Sequence, residues 1–333
     1  TASMIVRLTT PSASWPLVMQ TPGSSGEWDD VSFLVDRSGT LEADAWVVYE
    51  EVPEETTTLC PPDRTLLITG EPPMIKTYRP EYLAQFARVL TCHDIRGSGV
   101  IRDQQALPWH YGRFFEASGA ERFVECYDSL AAHSPFERKE RSISIVCSAK
   151  RKRDGHRKRD EFVTELERSG IPGLDIFGRG RAREAVCKRD AILPYRYHIV
   201  LENSECPDYW TEKLADAYLG GAFPFYWGCT NIEKYFPTGS FVRIDIGNPS
   251  EALRTIRDTI AAGTFERALP LLEEARDLVL NRYNLFPTIV SLFRALPSTS
   301  GTERIPVTLQ PERNFTLKGR IRRFWSGPAG GLR

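Results

Sequence analysis

The chain reads as an α/β protein built from two Rossmann-like β/α/β domains in tandem, and three observations lead there. Its 333 residues exceed the roughly 100–200 of a typical domain. Two separate series of short apolar, β-branched runs alternate with helical stretches, which is the pattern of parallel sheets. Between the series, near 132–141, Ser134-Pro135 and a charged cluster interrupt the periodicity. The predicted division is a first domain over 4–135, a second over 140–296, and an irregular basic tail over 297–333.

In the first series, strands are expected at Met4–Leu8, Ala45–Tyr49, Leu66–Thr69 and Val89–Cys92, with helices near Glu81–Phe86 and Gly119–Ala132. The second series opens with a strand at Ser142–Cys147 and a polar helix at about Gly155–Arg168. It continues through strands at Leu174–Phe177 and Tyr197–Leu201, a helix at Tyr209–Leu219 and a strand at Ala222–Trp227. After Asp245 the spacing of apolar residues turns helical. Pro249 suits a first helical turn ahead of Glu251–Ala262, and Phe265–Tyr283 and Pro287–Ala295 follow. Two such domains facing a cleft would gather ligands where strands end and helices begin.

Composition narrows the class. Hydrophobic residues are 41%, charged residues 26%, and 43 basic side chains nearly cancel 44 acidic ones, which excludes disordered and collagenous chains. No apolar run reaches the ~18 residues of a membrane span. The seven cysteines are odd in number and form no CxxC pair, against both a disulfide framework and a zinc site. A cytoplasmic location is expected, since the beginning of the chain shows no charged-then-apolar signal stretch.

The net charge of −1 hides segregation. Residues 1–60 carry ten acidic and two basic side chains, whereas Lys150–Arg159 carries seven basic and one acidic, and the stretch from Arg313 onward has six basic and none acidic. Specific anionic partners suit this pattern better than bulk polyanion binding.

The segment from Tyr195 to Lys213 is the most informative. A strand ending at Leu201 is followed by a polar loop with Glu202, Asn203 and Ser204, and then by a helix whose first turn holds Thr211, Glu212 and Lys213. Free backbone N–H groups, the helix dipole and the Lys213 charge would favour an anion there. Asn203 and Tyr209 can donate to the same oxygens, so a diphosphate fits. The plainer alternative is that Asp208 caps a helix whose first turn is simply solvated.

Here the residues resemble a known family. Tyr195-Arg-Tyr-His-Ile-Val-Leu-Glu-Asn-Ser204, Asp208-Tyr-Trp-Thr-Glu-Lys213, Gly221-Ala-Phe-Pro-Phe-Tyr-Trp-Gly228 and Gly239-Ser-Phe-Val-Arg-Ile-Asp245 look like the donor-binding signature of the bacterial type of family-10 glycosyltransferases, the α-1,3/1,4-fucosyltransferases. Cys147-Ser148 followed by Arg159 and Leu166, Leu174-Asp-Ile-Phe-Gly-Arg179 and Asn281-Arg-Tyr-Asn-Leu-Phe286 extend it. Thr69-Gly70-Glu71 resembles the Thr-Gly-Glu whose glutamate is the family's base, although Pro72-Pro73 departs from the pattern.

The resemblance implies a GT-B fold and inverting transfer of L-fucose from GDP-fucose to a glycan hydroxyl, with an acceptor domain first and a donor domain second. It implies Glu71 as base and Arg159, Asn203, Ser204, Tyr209, Thr211 and Lys213 around the donor; on chemical grounds Glu212 could hold a ribose or sugar hydroxyl, or shield positive charge building on the sugar ring. Such chemistry needs a base, stabilisation of an oxocarbenium-like sugar, and cations for the departing diphosphate. A turn carboxylate is the structural alternative for Glu71. The alternatives for the whole chain are a transferase of the same fold using another nucleotide sugar, or a silent glycan- or nucleotide-binding protein.

No Asp-x-Asp and no His/Cys/carboxylate cluster at ligand spacing occurs, so a divalent metal is not expected to be essential. His93, Trp109 and His110 are weak candidates for stacking on and hydrogen-bonding to an acceptor sugar. The run Lys150–Arg159 lacks interleaved aromatics and reads as a solvated loop or an electrostatic funnel rather than a nucleic-acid site. Phe315–Trp325 is compatible with a disordered tail or with docking on an anionic membrane surface. A peripheral position on the cytoplasmic face, with lipopolysaccharide or another surface glycan as acceptor, follows from the family's bacterial members.

Overall fold

A computed structural model describes residues 4–11, 15–115, 121–148, 154–181, 183–184, 187–296 and 303–316. The chain forms two compact units, one of residues 1–18, 26–105 and 293–333, the other of 19–25 and 106–292. The division therefore falls after Gln105, not near 135. The reason is visible in the packing: Trp109, Tyr111 and Leu130 belong to the apolar core of the second unit.

The first unit is built on a seven-stranded sheet. Its strands run in the order Glu27–Trp28, Val31–Val35, Met4–Thr9, Ala45–Tyr49, Thr65–Ile68, Arg88–Thr91 and Val100–Arg102. All pairings are parallel except the first. Ala45-Trp-Val-Val-Tyr49 and Thr65-Leu-Leu-Ile68 are near-continuously apolar and buried, as central parallel strands must be when both faces are covered.

A second, three-stranded sheet in this unit changes the account of the tail. Residues Ile305–Leu309 form a strand antiparallel to Thr56–Cys60, with Leu41–Glu42 on its far side. The expected irregular tail is thus ordered over this stretch, because Leu309 and Val307 pack against a core of Trp46, Val48, Leu67 and Tyr82. Residues 317–333, which include most of Phe315–Trp325, lie outside the described residues.

The second unit is a five-stranded, wholly parallel sheet in the order Leu174–Phe177, Arg141–Val146, Tyr195–Cys206, Phe223–Cys229 and Val242–Arg243. The helices Asp154–Arg168, Glu212–Leu219, Pro249–Ala261 and Thr264–Asn281 belong to this unit. An aromatic cluster binds sheet to helix: Tyr197 stacks on Phe225 at 5.6 Å, and its hydroxyl accepts the Phe265 N–H at 3.0 Å.

Two local expectations differ. Among the described residues, the helix expected over Gly119–Ala132 covers Tyr127–Ala132, started by a capping box between Cys126 and Ser129. Glu121–Phe123 is instead a strand paired with Arg113–Phe115. The strand expected to end at Leu201 continues to Cys206, so Glu202, Asn203 and Ser204 lie on a strand end and not in a loop.

Truncating the fully buried Leu309 to Ala should lower the unfolding free energy by about 2–4 kcal/mol in urea titration. A change within error would mean that the returning strand contributes nothing to the first unit.

Candidate functional site

The helix Glu212–Leu219 starts beside the carboxyl ends of the second sheet's strands, and one buried side chain fixes that start. Glu202 has no exposed surface, and its Oε1 accepts the Thr211 N–H at 2.8 Å while its Oε2 accepts the Thr211 hydroxyl at 2.7 Å. Thr211 is the helix N-cap and accepts the Lys213 N–H at 3.2 Å. Between Leu201 and Cys206 the strand carries four residues against the single Gly228 of its neighbour, a bulge that turns Glu202 inward. Gly228 is required there, since a Cβ would collide with the Glu202 side chain. Burial pushes the Glu202 carboxyl up, with Lys213 opposing the shift.

Asp208 does not cap the helix. It holds the preceding turn at φ 59°, accepting from Asn231 Nδ2 at 2.9 Å, Lys234 Nζ at 3.1 Å and the Tyr235 hydroxyl at 2.5 Å.

Around this cap, cations and carboxylates interleave. Lys213 Nζ lies 3.2 Å from Glu212 and 3.5 Å from Glu202. Lys188 Nζ lies 3.7 Å from Glu212 and 3.0 Å from Asp216, and the His110 ring is 4.0 Å from Glu212. Burial alone would raise the Glu212 carboxyl, but Lys213, Lys188 and His110 outweigh it and hold it well below the usual range. Burial would lower Lys213, yet Glu212 and Glu202 raise it. The pair is therefore ionised.

Arg159 is different. It is 8% exposed, donates through Nη1 to the Leu201 carbonyl at 3.3 Å, and has a buried Nε without a hydrogen-bond partner. The neighbouring Asp160 is engaged by Arg181, so Arg159 pairs with no carboxylate among the described residues. The Ser204 hydroxyl is also buried and unpartnered. A buried cation and a buried hydroxyl left unsatisfied are costly unless a ligand meets them.

The other expected donor contacts divide. Asn203 is half-buried on the strand end. Tyr209 is 1% exposed, among the largest fully buried side chains. Both donors of Thr211 are committed to Glu202, so this residue acts by holding the helix start. Of the basic run, residues 150–153 lie outside the described residues.

In the first unit, Glu71 is half-buried at the turn after the strand Thr65–Ile68. His93 Nε2 donates to the Glu71 carbonyl oxygen at 2.8 Å, and burial lowers its pKa, so it braces this turn as a neutral ring. Trp109 belongs to the core of the second unit at 4% exposure and offers no stacking surface. The backbone N–H of His110 donates to Asp216 Oδ1 at 2.9 Å.

Lys188 and Asp216 went unnoticed in the sequence because neither stands in the motif. Their only signal was the i, i+4 spacing of Glu212 and Asp216 on one helix face. A cavity of about 320 Å³ also opens at this edge of the sheet, lined by Glu205, Trp227, Arg243, Asp245 and Glu251 among others, within the size range of small-molecule sites. Among the described residues, no group of His, Cys, Asp or Glu could hold a metal ion, and no helix is long and apolar enough to cross a membrane.

Comparison with known proteins finds a family match over part of the chain. Residues 136–257 match the family model "Glycosyltransferase family 10 (fucosyltransferase) C-term". The chain is 34% identical over 96 residues to the mouse alpha-(1,3)-fucosyltransferase 4, covering 27% of this chain and 22% of that protein. It is 35% identical over 71 residues to the Helicobacter pylori alpha-(1,3)-fucosyltransferase FucT, covering 21% and 15%. The matches thus span under a quarter of these relatives' lengths. A solved alpha1,3-fucosyltransferase with GDP-fucose aligns at TM-score 0.49 and 17% identity, covering 87% of this chain and 89% of that one.

Beneath the site, the Ser144 hydroxyl donates to the Ala191 carbonyl at 2.6 Å and so must accept from His198 Nδ1 at 2.8 Å. Burial drives this ring from its ordinary 6.5 down to about 3. Stability from the neutral ring is complete above pH 6.5 and is lost as pH falls toward 3. Asp216, raised by burial to about 6, works in the opposite sense. His198→Asn, which keeps the donor and cannot titrate, should cancel the ring's share. The stability advantage of the parent over this variant should shrink by about 2 kcal/mol between pH 7 and pH 5. A pH-independent gap would refute the buried neutral ring.

Proposed function

Because residues 136–257 carry a family-10 glycosyltransferase C-terminal domain, we propose that this protein is an inverting transferase that moves L-fucose from GDP-fucose to a glycan hydroxyl, forming an α-1,3-type linkage. The names of its relatives in mouse and Helicobacter pylori support the sugar and the linkage class. The observation that carries the donor chemistry is Arg159, a buried guanidinium with an unpartnered Nε, electrostatically coupled to Lys213 at the start of a helix. Two cations, a helix N-terminus and the Ser204 hydroxyl match the charge and oxygens of a diphosphate.

In the proposed reaction Glu71 takes the proton of the acceptor hydroxyl. The freed oxygen attacks the anomeric carbon from the face opposite the nucleotide, and the bond from that carbon to the β-phosphate oxygen breaks. The departing diphosphate keeps the electron pair, and Arg159 and Lys213 neutralise its growing charge. Glu212, held ionised by its lysines, opposes the positive charge that builds on the sugar ring. Thr211 and Glu202 act by keeping Lys213 in place. Charge balance at the diphosphate comes from side chains, so a divalent metal is dispensable in this scheme.

Titration calorimetry should show GDP binding and little UDP binding, with Lys213→Met weakening GDP by roughly ten- to a hundredfold. Equal affinity for the two nucleotides would remove the GDP-fucose assignment. In a transfer assay with glycan acceptors, Glu71→Gln should bind GDP normally and transfer no sugar, and the parent should keep its rate in excess chelator. Full activity of the variant would strike out Glu71 as base; activity lost in chelator and restored by Mn²⁺ would strike out the metal-free scheme.

A further inference from the structure

Within the first unit, the turn Thr69-Gly70-Glu71 is gripped by a carboxylate that the reaction scheme does not use. Glu50 stands at the end of the neighbouring strand Ala45–Tyr49, in the left-handed region at φ 68°, a backbone conformation that glutamate rarely adopts. Its Oε2 accepts the Gly70 N–H at 2.5 Å and the Tyr78 hydroxyl at 2.8 Å, and its Oε1 accepts Lys76 Nζ at 2.8 Å. The Tyr78 oxygen in turn accepts the N–H groups of Gly70 and Glu71 at 3.2 and 3.3 Å. Two successive backbone donors thus point at one carboxylate–phenol pair. A Cβ at Gly70 would meet the Glu50 carboxylate and push it out of this clamp.

The clamp reaches the returning C-terminal segment. Lys76 also lies 3.2 Å from Glu312 Oε2, and Glu312 Oε1 accepts the Arg79 N–H at 2.8 Å. On the other side, His93 holds the Glu71 carbonyl. The Glu71 backbone is therefore tied at both its N–H and its C=O.

We infer that Glu50 and Tyr78 are positioning residues for Glu71: their clamp on the Gly70 and Glu71 N–H groups sets the direction in which the Glu71 carboxylate leaves the turn. The inference rests on Glu71 being the base. A base displaced by a fraction of an ångström loses much of its rate while distant ligand binding is untouched. Glu50, paired with Lys76 at 2.8 Å, also grips the residue next to Glu71, so its carboxylate bears on the proton affinity of the base.

The test compares Glu50→Gln, Tyr78→Phe and Glu71→Gln in the full chain, reading kcat, the KM for donor, GDP affinity, and the acid limb of the pH profile of kcat/KM. Both clamp variants should lose roughly tenfold or more in kcat with GDP affinity unchanged. Glu50→Gln should also move the acid limb to lower pH, because a negative charge leaves the surroundings of the base, and Tyr78→Phe should leave that limb in place. Unchanged kcat in both clamp variants, with Glu71→Gln inactive, overturns the positioning role alone. An active Glu71→Gln overturns the base assignment and this inference with it. Should Glu50→Gln fail to fold, the single hydroxyl removed in Tyr78→Phe decides the matter through its kcat.

Discussion

The donor end of this protein depends on a carboxylate in the wrong place for a carboxylate. Glu202, without exposed surface, spends both oxygens on Thr211. It thereby joins the end of one strand to the start of the following helix. An unpaired charge there would be very costly, so the groups around it are tightly specified: a bulge to turn it inward, Gly228 to make room, Thr211 to receive it and Lys213 to balance it. The orientation of Lys213 is a consequence of that chain of contacts.

The same logic orders the charges further out. Lys213 and Lys188 are both shared between carboxylates, which fix where each ammonium group sits. Arg159 differs from these two lysines: its acidic neighbour in sequence, Asp160, is engaged by Arg181. Buried groups with partners set the frame; a buried group without one marks where a ligand has something to offer.

In the first unit the charge segregation along the chain resolves into local pairing. The acidic beginning meets arginines from the far end: Arg294 lies 3.0 Å from Asp29 and 2.5 Å from Asp30, and Arg304 pairs with Glu42 and Asp44. A near-neutral total therefore reflects complementary segments of one fold and not only a field presented to solvent. Exposed pairs of this kind contribute little each, and it is Leu309 in the core that anchors the returning strand.

Strands such as Ala45–Tyr49 and Thr65–Ile68 were legible because an apolar run of that length has few other places to go. The Tyr195–Lys213 motif was legible because its residue types and order are unusual together. The strand end at Glu202 was read as a loop, since a polar Glu-Asn-Ser run is buried only when its partners arrive from elsewhere, here Thr211 and Gly228. The Gly119–Ala132 helix failed for a related reason, a hairpin partner at Arg113–Phe115 competing with helix propensity. The sequence by itself determined the α/β class and the position of most strands, and it singled out the Tyr195–Lys213 motif. Only the tertiary structure decided which of the candidate residues are free to meet a ligand and which, like Thr211 and Trp109, are consumed in holding the fold. That choice rests on hydrogen-bond and packing partners far apart along the chain, such as Thr56–Cys60 with Ile305–Leu309, and no local pattern encodes such pairings.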